Sequence, residues 1–326
     1  MSPVLKDRLS LEACEAREVP ANLVWTNTAD NGLFGVAANW RDLDTNVTAT
    51  AAPVQGDTLI FDGELLDAPN CNTDLKDLHG FDLTETTADF AAISLVNGYS
   101  GKVTLVADAT PGLSVGAFTL TSGASAQPNG ITTVTTVTET GEGGTVTTTT
   151  VTTITPPPDL SVLDTFTWTG GILNSSDNPA NLFVRGVGVI APAEAGTVTT
   201  NDTLQFIGAP NAPASTTMFP GTLAFGAVGG GLIIGGFATL TAKTFTTGDV
   251  LGINKNLAGA QKIEILANGT LNCIGPGKID YDLRIVNRGS FNLTGSVRVN
   301  LTGKTMEPAG VIPTNYGQGD TGGLGL

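Results

Sequence analysis

The residues of this chain that could do chemistry lie near its C-terminal end, in the segment KIDYDLRI (278–285). If the segment forms one β-strand, its side chains alternate between two faces. One of these faces then carries Lys278, Asp280, Asp282 and Arg284. Two carboxylates beside a cation can cleave glycosidic bonds, so Asp280, Asp282 and Arg284 are the catalytic candidates if the protein is an enzyme. Alternating opposite charges are more often a solvated face whose members pair with one another, and this is the interpretation we favour.

Other catalytic arrangements are missing from the sequence. His79 is the only histidine, which excludes a cluster of histidine metal ligands and would make any Ser-His-Asp triad depend on one residue. There is no G-x-S-x-G elbow around a serine and no G-x-x-x-x-G-K-[ST] phosphate loop. We therefore predict no catalytic site and no cofactor.

Calcium is the one metal for which ligands can be named. Asp30, Asn31 and Asp62 lie in turn-like segments, where side-chain oxygens could bind the ion. The chain has no D-x-[DN]-x-[DN]-G loop, so turn formation explains these residues better.

The cysteines indicate neither a disulfide framework nor a zinc site. Cys14, Cys71 and Cys273 are odd in number and have no C-x-x-C spacing, which argues against a zinc site. A Cys71–Cys273 bridge stays open for an oxidising compartment, but separately buried thiols are the simpler interpretation.

Charge narrows the choice of partners. The chain has 30 acidic and 15 basic residues, a net charge of -15, and an isoelectric point near 4.3. Phosphate groups would be repelled, so nucleic acid and anionic membranes are not expected partners. No apolar run reaches the roughly 18 residues of a membrane span, and no apolar core of a signal peptide follows Lys6 and Arg8.

Most of the chain has the pattern of short β-strands. Segments such as GDTLIFDG (56–63) and NDTLQFIG (201–208) alternate apolar and polar residues and end at Gly, Asn or Asp. LANGTLNCIG (266–275) and IVNRGSFNLTG (285–295) resemble each other, with Gly269 and Gly289 twenty residues apart. A repeat of this length is typical of a β-solenoid, whose coils bury an apolar side only by stacking.

The expected fold is therefore all-β, a parallel β-helix (solenoid), with a β-sandwich as the alternative. Roughly ten to twelve coils would give a rod on the order of 50 Å long.

Two segments depart from the strand pattern. Residues 4–18 have the spacing of a charged helix that ends before Pro20, so residues 1–21 form a separate N-terminal segment, and one interpretation is that this segment caps the first coil. Residues 131–158 are rich in threonine and are predicted to form an exposed β-hairpin insertion. The solenoid would occupy 22–130 and 159–310, and 311–326 would be a flexible Gly-rich tail.

The N-terminal segment RLSLEACEAREVPA (8–21) resembles the R-x-x-LE-x-LE-x-R-x-x-PA signature of predicted extracellular proteins of planctomycete bacteria. Cys14 stands where that signature usually has Leu. The matching residues are Arg8, Leu11, Glu12, Glu15, Arg17, Pro20 and Ala21. The resemblance implies export or sorting to the cell surface, often of a protein with a β-helical body. Residues 1–21 are then a sorting signal, a cap, or both.

The following segment, residues 24–63, is similar to the opening of autotransporter-passenger-like β-helix proteins, with their W…NW…P…GD-x-hydrophobic-x-F pattern. We expect Trp25 and Trp40 to seal the first coils. The sequence as a whole predicts a secreted or cell-surface protein with a structural or adhesive role and no catalytic activity. Its expected partners are a surface polysaccharide or other envelope proteins. The alternative is a polysaccharide lyase or hydrolase of the β-helix type.

Overall fold

The structure is a computed structural model that describes part of the chain. The described residues are 20–64, 73–75, 89–99, 101–105, 113–121, 125–128, 131–140, 146–155, 159–173, 180–192, 196–200, 202–225, 231–243, 245–249, 262–280, 284–300 and 307–308. The helix predicted over 4–18, most of the sorting signature, His79 and the tail 311–326 lie outside these residues.

The described residues are almost entirely β-structure, which confirms the all-β prediction. One short 3-10 helix spans Ala37–Asn39. In chain order the strands are β1 (Asn22–Trp25), β2 (Trp40–Asp42), β3 (Val47–Thr48), β4 (Thr58–Asp62), β5 (Thr73–Leu75), β6 (Phe90–Val96), β7 (Lys102–Leu105), β8 (Leu113–Leu120), β9 (Ser125–Pro128), β10 (Ile131–Thr140), β11 (Val146–Thr155), β12 (Leu160–Trp168), β13 (Ile172–Leu173), β14 (Asn181–Val184), β15 (Val187–Ile190), β16 (Thr197–Thr200), β17 (Thr203–Ile207), β18 (Ala214–Met218), β19 (Gly221–Phe225), β20 (Gly231–Gly235), β21 (Ala238–Lys243), β22 (Phe245–Asp249), β23 (Lys262–Ile265), β24 (Thr270–Ile274), β25 (Gly277–Asp280), β26 (Arg284–Asn287), β27 (Ser290–Thr294), β28 (Val297–Asn300) and β29 (Glu307–Pro308).

The strands form three parallel ladders. The first ladder runs β1, β4, β6, β8, β12, β14, β17, β20, β23, β26 and β29. The second ladder continues from the C-terminal halves of β6, β8 and β12 through β15, β18, β21, β24 and β27. The third ladder is a nine-stranded sheet that runs β5, β7, β9, β13, β16, β19, β22, β25 and β28. The first two ladders belong to one mixed sheet of 18 strands.

Antiparallel pairing is confined to three pairs of the described strands, β1–β2, β2–β3 and β10–β11. A β-sandwich of the kind considered above would need antiparallel pairs throughout its two sheets. The observed pairing therefore does not support the sandwich alternative.

The two similar segments 266–275 and 285–295 form two stacked strands. Thr270 of β24 pairs with Ser290 of β27, and Gly269 and Gly289 lie at the corner just before these strands. A Cβ atom on Gly289 would lie 2.4 Å from the carbonyl oxygen of Gly269. Only glycine fits at such a close approach of two backbones.

The alternating pattern places apolar side chains of all three ladders in one core. Leu204 and Phe206 of β17 point inward, stacked on Leu232 and Ile234 of β20, and all four are buried. The cluster of buried apolar residues is continuous from β1 to β27. Each such side chain contributes about 1.5–3 kcal/mol by leaving water, so neighbouring strands stabilise one another mainly through this shared core.

The N-terminal end of the first ladder is closed by an antiparallel strand. Trp25 of β1 faces Trp40 of β2 in the register of this pair. The two indole rings are 5.1 Å apart, edge to face, and both are fully buried. Phe34 and Phe61 pack against Trp40 at 5.5 and 5.7 Å between ring centroids. The outer edge of β1 is therefore covered by residues 40–42.

The threonine-rich segment forms a hairpin separate from the large sheets. Strands β10 and β11 pair antiparallel over ten residue pairs, from Ile131 opposite Thr155 to Thr140 opposite Val146. They form their own two-stranded sheet. On either side of this insertion, β8 and β12 still pair in parallel, with Leu113 opposite Leu160.

Candidate functional site

The predicted catalytic segment does not form a single strand. Strand β25 ends at Asp280 and belongs to the third ladder, whereas β26 begins at Arg284 and belongs to the first. Asp282 lies in the undescribed interval between them. The one-strand expectation for 278–285 is therefore wrong, because the apolar–polar alternation of the sequence extends over two strands that belong to different ladders. The structure does not place Asp280 and Arg284 on one strand face.

The charges that the structure brings together are different ones. The Glu264 carboxylate on β23 forms ion pairs with Lys262 Nζ at 2.6 Å and with Arg288 Nη1 at 3.1 Å. A carboxylate held between two cations is an ion-pair network on the outside of the first ladder, where each pair contributes about 0–1 kcal/mol. Among the described residues, no group of three or more His, Cys, Asp or Glu side chains could hold a metal ion.

Four other aspartates join neighbouring strands of the first ladder. Each lies just before a strand and accepts a backbone N–H from a neighbouring repeat of the chain. The bonds are Ala21 N to Asp57 Oδ1 at 2.7 Å, Ser114 N to Asp89 Oδ2 at 2.7 Å, Asn181 N to Asp159 Oδ1 at 3.2 Å and Ala180 N to Asp202 Oδ1 at 3.0 Å. These inter-strand aspartates accept hydrogen bonds from backbone N–H groups that the strand pairing does not satisfy at the corners of the ladder. Ala21, the last residue of the sorting signature, is one of the donors.

The residues considered for calcium have turn-forming roles in the structure. Asn31 Oδ1 accepts hydrogen bonds from Leu33 N at 3.0 Å and Asn39 Nδ2 at 2.6 Å. The Asp62 carboxylate accepts from Glu64 N and Asn97 Nδ2, both at 2.8 Å. Asn31 therefore holds its own turn in place, whereas Asp62 holds its own turn and also joins it to the turn that follows β6.

Cys273 is a free thiol on the inward side of β24, and it is fully buried. Burial raises the pKa of this thiol to about 12, because the apolar surroundings disfavour the thiolate. Cys71 lies outside the described residues.

The outward side of the second ladder is a regular and mainly polar surface. We call it the hydroxyl face, and it consists of three columns across β12, β15, β18, β21, β24 and β27. The first column is Thr165, Val187, Ser215, Thr239, Thr270 and Ser290. The second is Thr167, Val189, Thr217, Thr241, Asn272 and Asn292. The third is Thr169, Ala191, Phe219, Lys243, Ile274 and Thr294. Each of the eighteen is exposed or partly exposed, while the residues between them along each strand point into the core.

The geometry of the hydroxyl face follows from the backbone. Successive positions in a column are separated by the spacing of neighbouring strands, about 4.8 Å, and neighbouring columns by two residues along a strand, about 6.6 Å. Part of the second column is hydrogen-bonded along the ladder. Asn292 Nδ2 donates to Asn272 Oδ1 at 2.9 Å, and Asn272 Nδ2 donates to Thr241 Oγ1 at 3.4 Å.

Charge on the hydroxyl face is confined to its third column, and the apolar members of the first two columns are Val187 and Val189. Lys243 is the one charged residue of the face, and its Nζ lies 5.5 Å from the centre of the Phe219 ring. The Phe219 and Ile274 side chains are 40% and 39% exposed. The face thus has hydroxyl, amide and methyl groups in two columns and an apolar border along the third.

Comparisons with known proteins add no relative: no family model, no curated protein and no solved structure matches this chain. Within the described residues, no helix has the length and apolar character that crossing a membrane requires.

Proposed function

We propose that this chain is a secreted or cell-surface parallel β-helix with a structural or adhesive role and no catalytic activity. The observation that carries the proposal is the hydroxyl face: a regular and nearly uncharged surface on the outside of a continuous parallel ladder. Its mechanism is passive, since the core holds the strands in register and the outward side chains bind a partner of the cell envelope, a polysaccharide or a protein.

The parallel ladders support the β-helical part of the proposal. In each ladder a strand pairs with one that follows it by a full repeat of the chain, and the inward side chains of all three ladders meet in one core. A chain that coils upward produces this pattern. Eleven strands in the first ladder, at about 4.8 Å each, correspond to a rod roughly 50 Å long.

Export is supported by the resemblance of residues 8–21 to the planctomycete signature and of residues 24–63 to autotransporter-like passengers. Surface exposure is tested by labelling intact cells that express the tagged full chain. A chain found only inside the cells contradicts this part of the proposal.

Two measurements test the remaining parts. Small-angle X-ray scattering of the full chain should show an elongated particle, and a near-spherical particle would contradict the β-helix. Incubation with acidic and neutral polysaccharides should release neither reducing ends nor unsaturated products. If products do appear and are lost in Asp280→Asn or Asp282→Asn, the chain is a polysaccharide lyase or hydrolase instead.

A further inference from the structure

We infer that the hydroxyl face binds a neutral, extended polysaccharide whose chain runs along the ladder, across the strands. This inference rests on the proposed adhesive function and specifies the surface and the chemical class of the partner.

The first argument is that the spacing of the strands matches the spacing of sugars in an extended polysaccharide. Every strand of the second ladder presents one residue in each column, so the columns repeat at the strand spacing of about 4.8 Å. An extended β-linked polysaccharide repeats its sugars at a comparable length. A chain lying along the first or second column therefore meets a new hydrogen-bonding side chain at each of the four strands β18, β21, β24 and β27, whereas β15 presents only Val187, Val189 and Ala191. Several sugars are bound before the two repeats lose register.

The second argument is the chemistry of the side chains. A sugar presents hydroxyl groups at its rim and C–H groups on its ring faces. Thr217 and Thr241, on neighbouring strands, offer both a hydroxyl that donates and accepts hydrogen bonds and a methyl group. The hydrogen bond between Asn272 and Asn292 fixes the orientation of both amides in the free protein, which lowers the entropic cost of binding. The exposed Phe219 ring at the border can pack against the C–H face of a sugar.

The third argument is charge. Two columns of the hydroxyl face have no charged residue, whereas the chain as a whole has a net charge of -15. An anionic polysaccharide would be repelled by the molecule and would find only Lys243 on this face. The outward side of the first ladder, in contrast, has the Glu264 ion-pair network. A neutral polysaccharide is the ligand that this distribution favours.

The test is a binding experiment with the full chain. Retention on microcrystalline cellulose and calorimetric titration with cellohexaose, both neutral β-linked glucans, are compared with titration by polygalacturonate. We expect binding to the neutral glucans and at least about tenfold weaker binding to the anionic polymer.

Two variants locate the site. Thr217→Lys with Thr241→Lys introduces two charges into the second column and should weaken glucan binding about tenfold or more. Ile233→Lys is a control that adds one such charge elsewhere, because Ile233 is a half-buried outward residue of β20 in the first ladder, and it should leave binding unchanged. Circular dichroism and melting temperature verify that each variant is folded.

The outcomes separate the inference from the proposed function. If the particle is elongated but no neutral glucan binds, or if Ile233→Lys weakens binding as much as the threonine variant, the inference is wrong and the adhesive β-helix stands. If the threonine variant instead abolishes a dimer seen in sedimentation, the face binds a second copy of the chain. If the wild-type chain slows the growth of ice crystals and binds no glucan, the face binds ice. A spherical particle overturns both proposals.

Discussion

The two tryptophans at the N-terminal end give the sharpest test of the packing, because their indole nitrogens differ in hydrogen bonding. Trp25 and Trp40 are both fully buried and contact each other. The indole Nε1 of Trp40 donates to the carbonyl oxygen of Phe34 at 2.9 Å. The Nε1 of Trp25 is buried and has no hydrogen-bond partner among the described residues. Changing each residue to phenylalanine removes the same atoms from the two sites.

The difference in stability between the two phenylalanine variants comes from the hydrogen-bonding groups that each replacement changes. Either replacement loses about 1–2 kcal/mol of apolar burial. Trp40→Phe also leaves the Phe34 carbonyl without its donor inside the protein, at a cost of about 1–3 kcal/mol, whereas Trp25→Phe removes an unpaired N–H and regains a similar amount. We therefore expect Trp40→Phe to lower the free energy of unfolding by about 2 kcal/mol or more relative to Trp25→Phe. Trp40→Ala should cost about 3–5 kcal/mol.

The assay is equilibrium unfolding in urea followed by far-ultraviolet circular dichroism, since tryptophan fluorescence is changed by the substitutions themselves. The midpoint and slope give the free energy of unfolding. Equal losses for the two phenylalanine variants, or a larger loss for Trp25→Phe, would refute the hydrogen-bonding argument. An unchanged melting temperature for Trp40→Ala would refute the placement of this residue at the sealed end.

Three further predictions concern the body of the ladders. A Cβ atom on Gly188 would lie 2.3 Å from Thr216 Oγ1, so Gly188→Ala should lower the free energy of unfolding by about 1–3 kcal/mol; adding Thr216→Ala should restore most of it in urea titrations, and strictly additive effects would contradict the contact. Asp202→Ala should cost about 1–3 kcal/mol by leaving the Ala180 N–H without its acceptor, seen as a lower melting temperature, and an unchanged value would remove the inter-strand role of this aspartate. Burial raises the pKa of Cys273 from an ordinary value of 9.0 to about 12. Its neutral thiol therefore favours the folded state below pH 9.0, and this contribution is lost between pH 9.0 and 12, by about 1.4 kcal/mol per pH unit. Cys273→Ala should flatten this part of the pH dependence of unfolding, and a curve parallel to the wild type would contradict the burial effect.

The sequence was a good guide to the strands themselves, because a strand that is buried on one side alternates in residue type. Leu204 and Phe206 were recognisable as inward residues and Gln205 as an outward one. The spacing of Gly269 and Gly289 also indicated stacking, since only glycine fits where two backbones come close.

The positions of the corners between the ladders could not be predicted from the sequence. A two-residue period continues through a turn if the turn has suitable composition, and so 278–285 looked like one strand. The inter-strand aspartates escaped notice for a related reason: Asp57 and Asp202 each precede a strand, as ordinary turn formers do. Their shared signal, an aspartate two positions before an apolar strand residue, was present in both GDTLIF and NDTLQF.

The hydroxyl face could not be predicted because its members have no constant period. Thr217 pairs with Thr241 twenty-four positions later, Thr241 with Asn272 after thirty-one, and Asn272 with Asn292 after twenty. Insertions at the corners change the length of each repeat while the ladder keeps its register. Only the pairing of the strands shows that these side chains form a column.

The threonine-rich hairpin has a practical consequence. The repeat from Leu113 to Leu160 is forty-seven positions long, against twenty-two from Leu160 to Leu182, yet the two leucines pair like any others. Lengthening a flexible connection costs only about 0.6 kcal/mol for each doubling. This corner is therefore a natural place to graft foreign peptides: an epitope or enzyme with neighbouring termini could replace the hairpin, be displayed away from the body, and leave the supporting scaffold undisturbed.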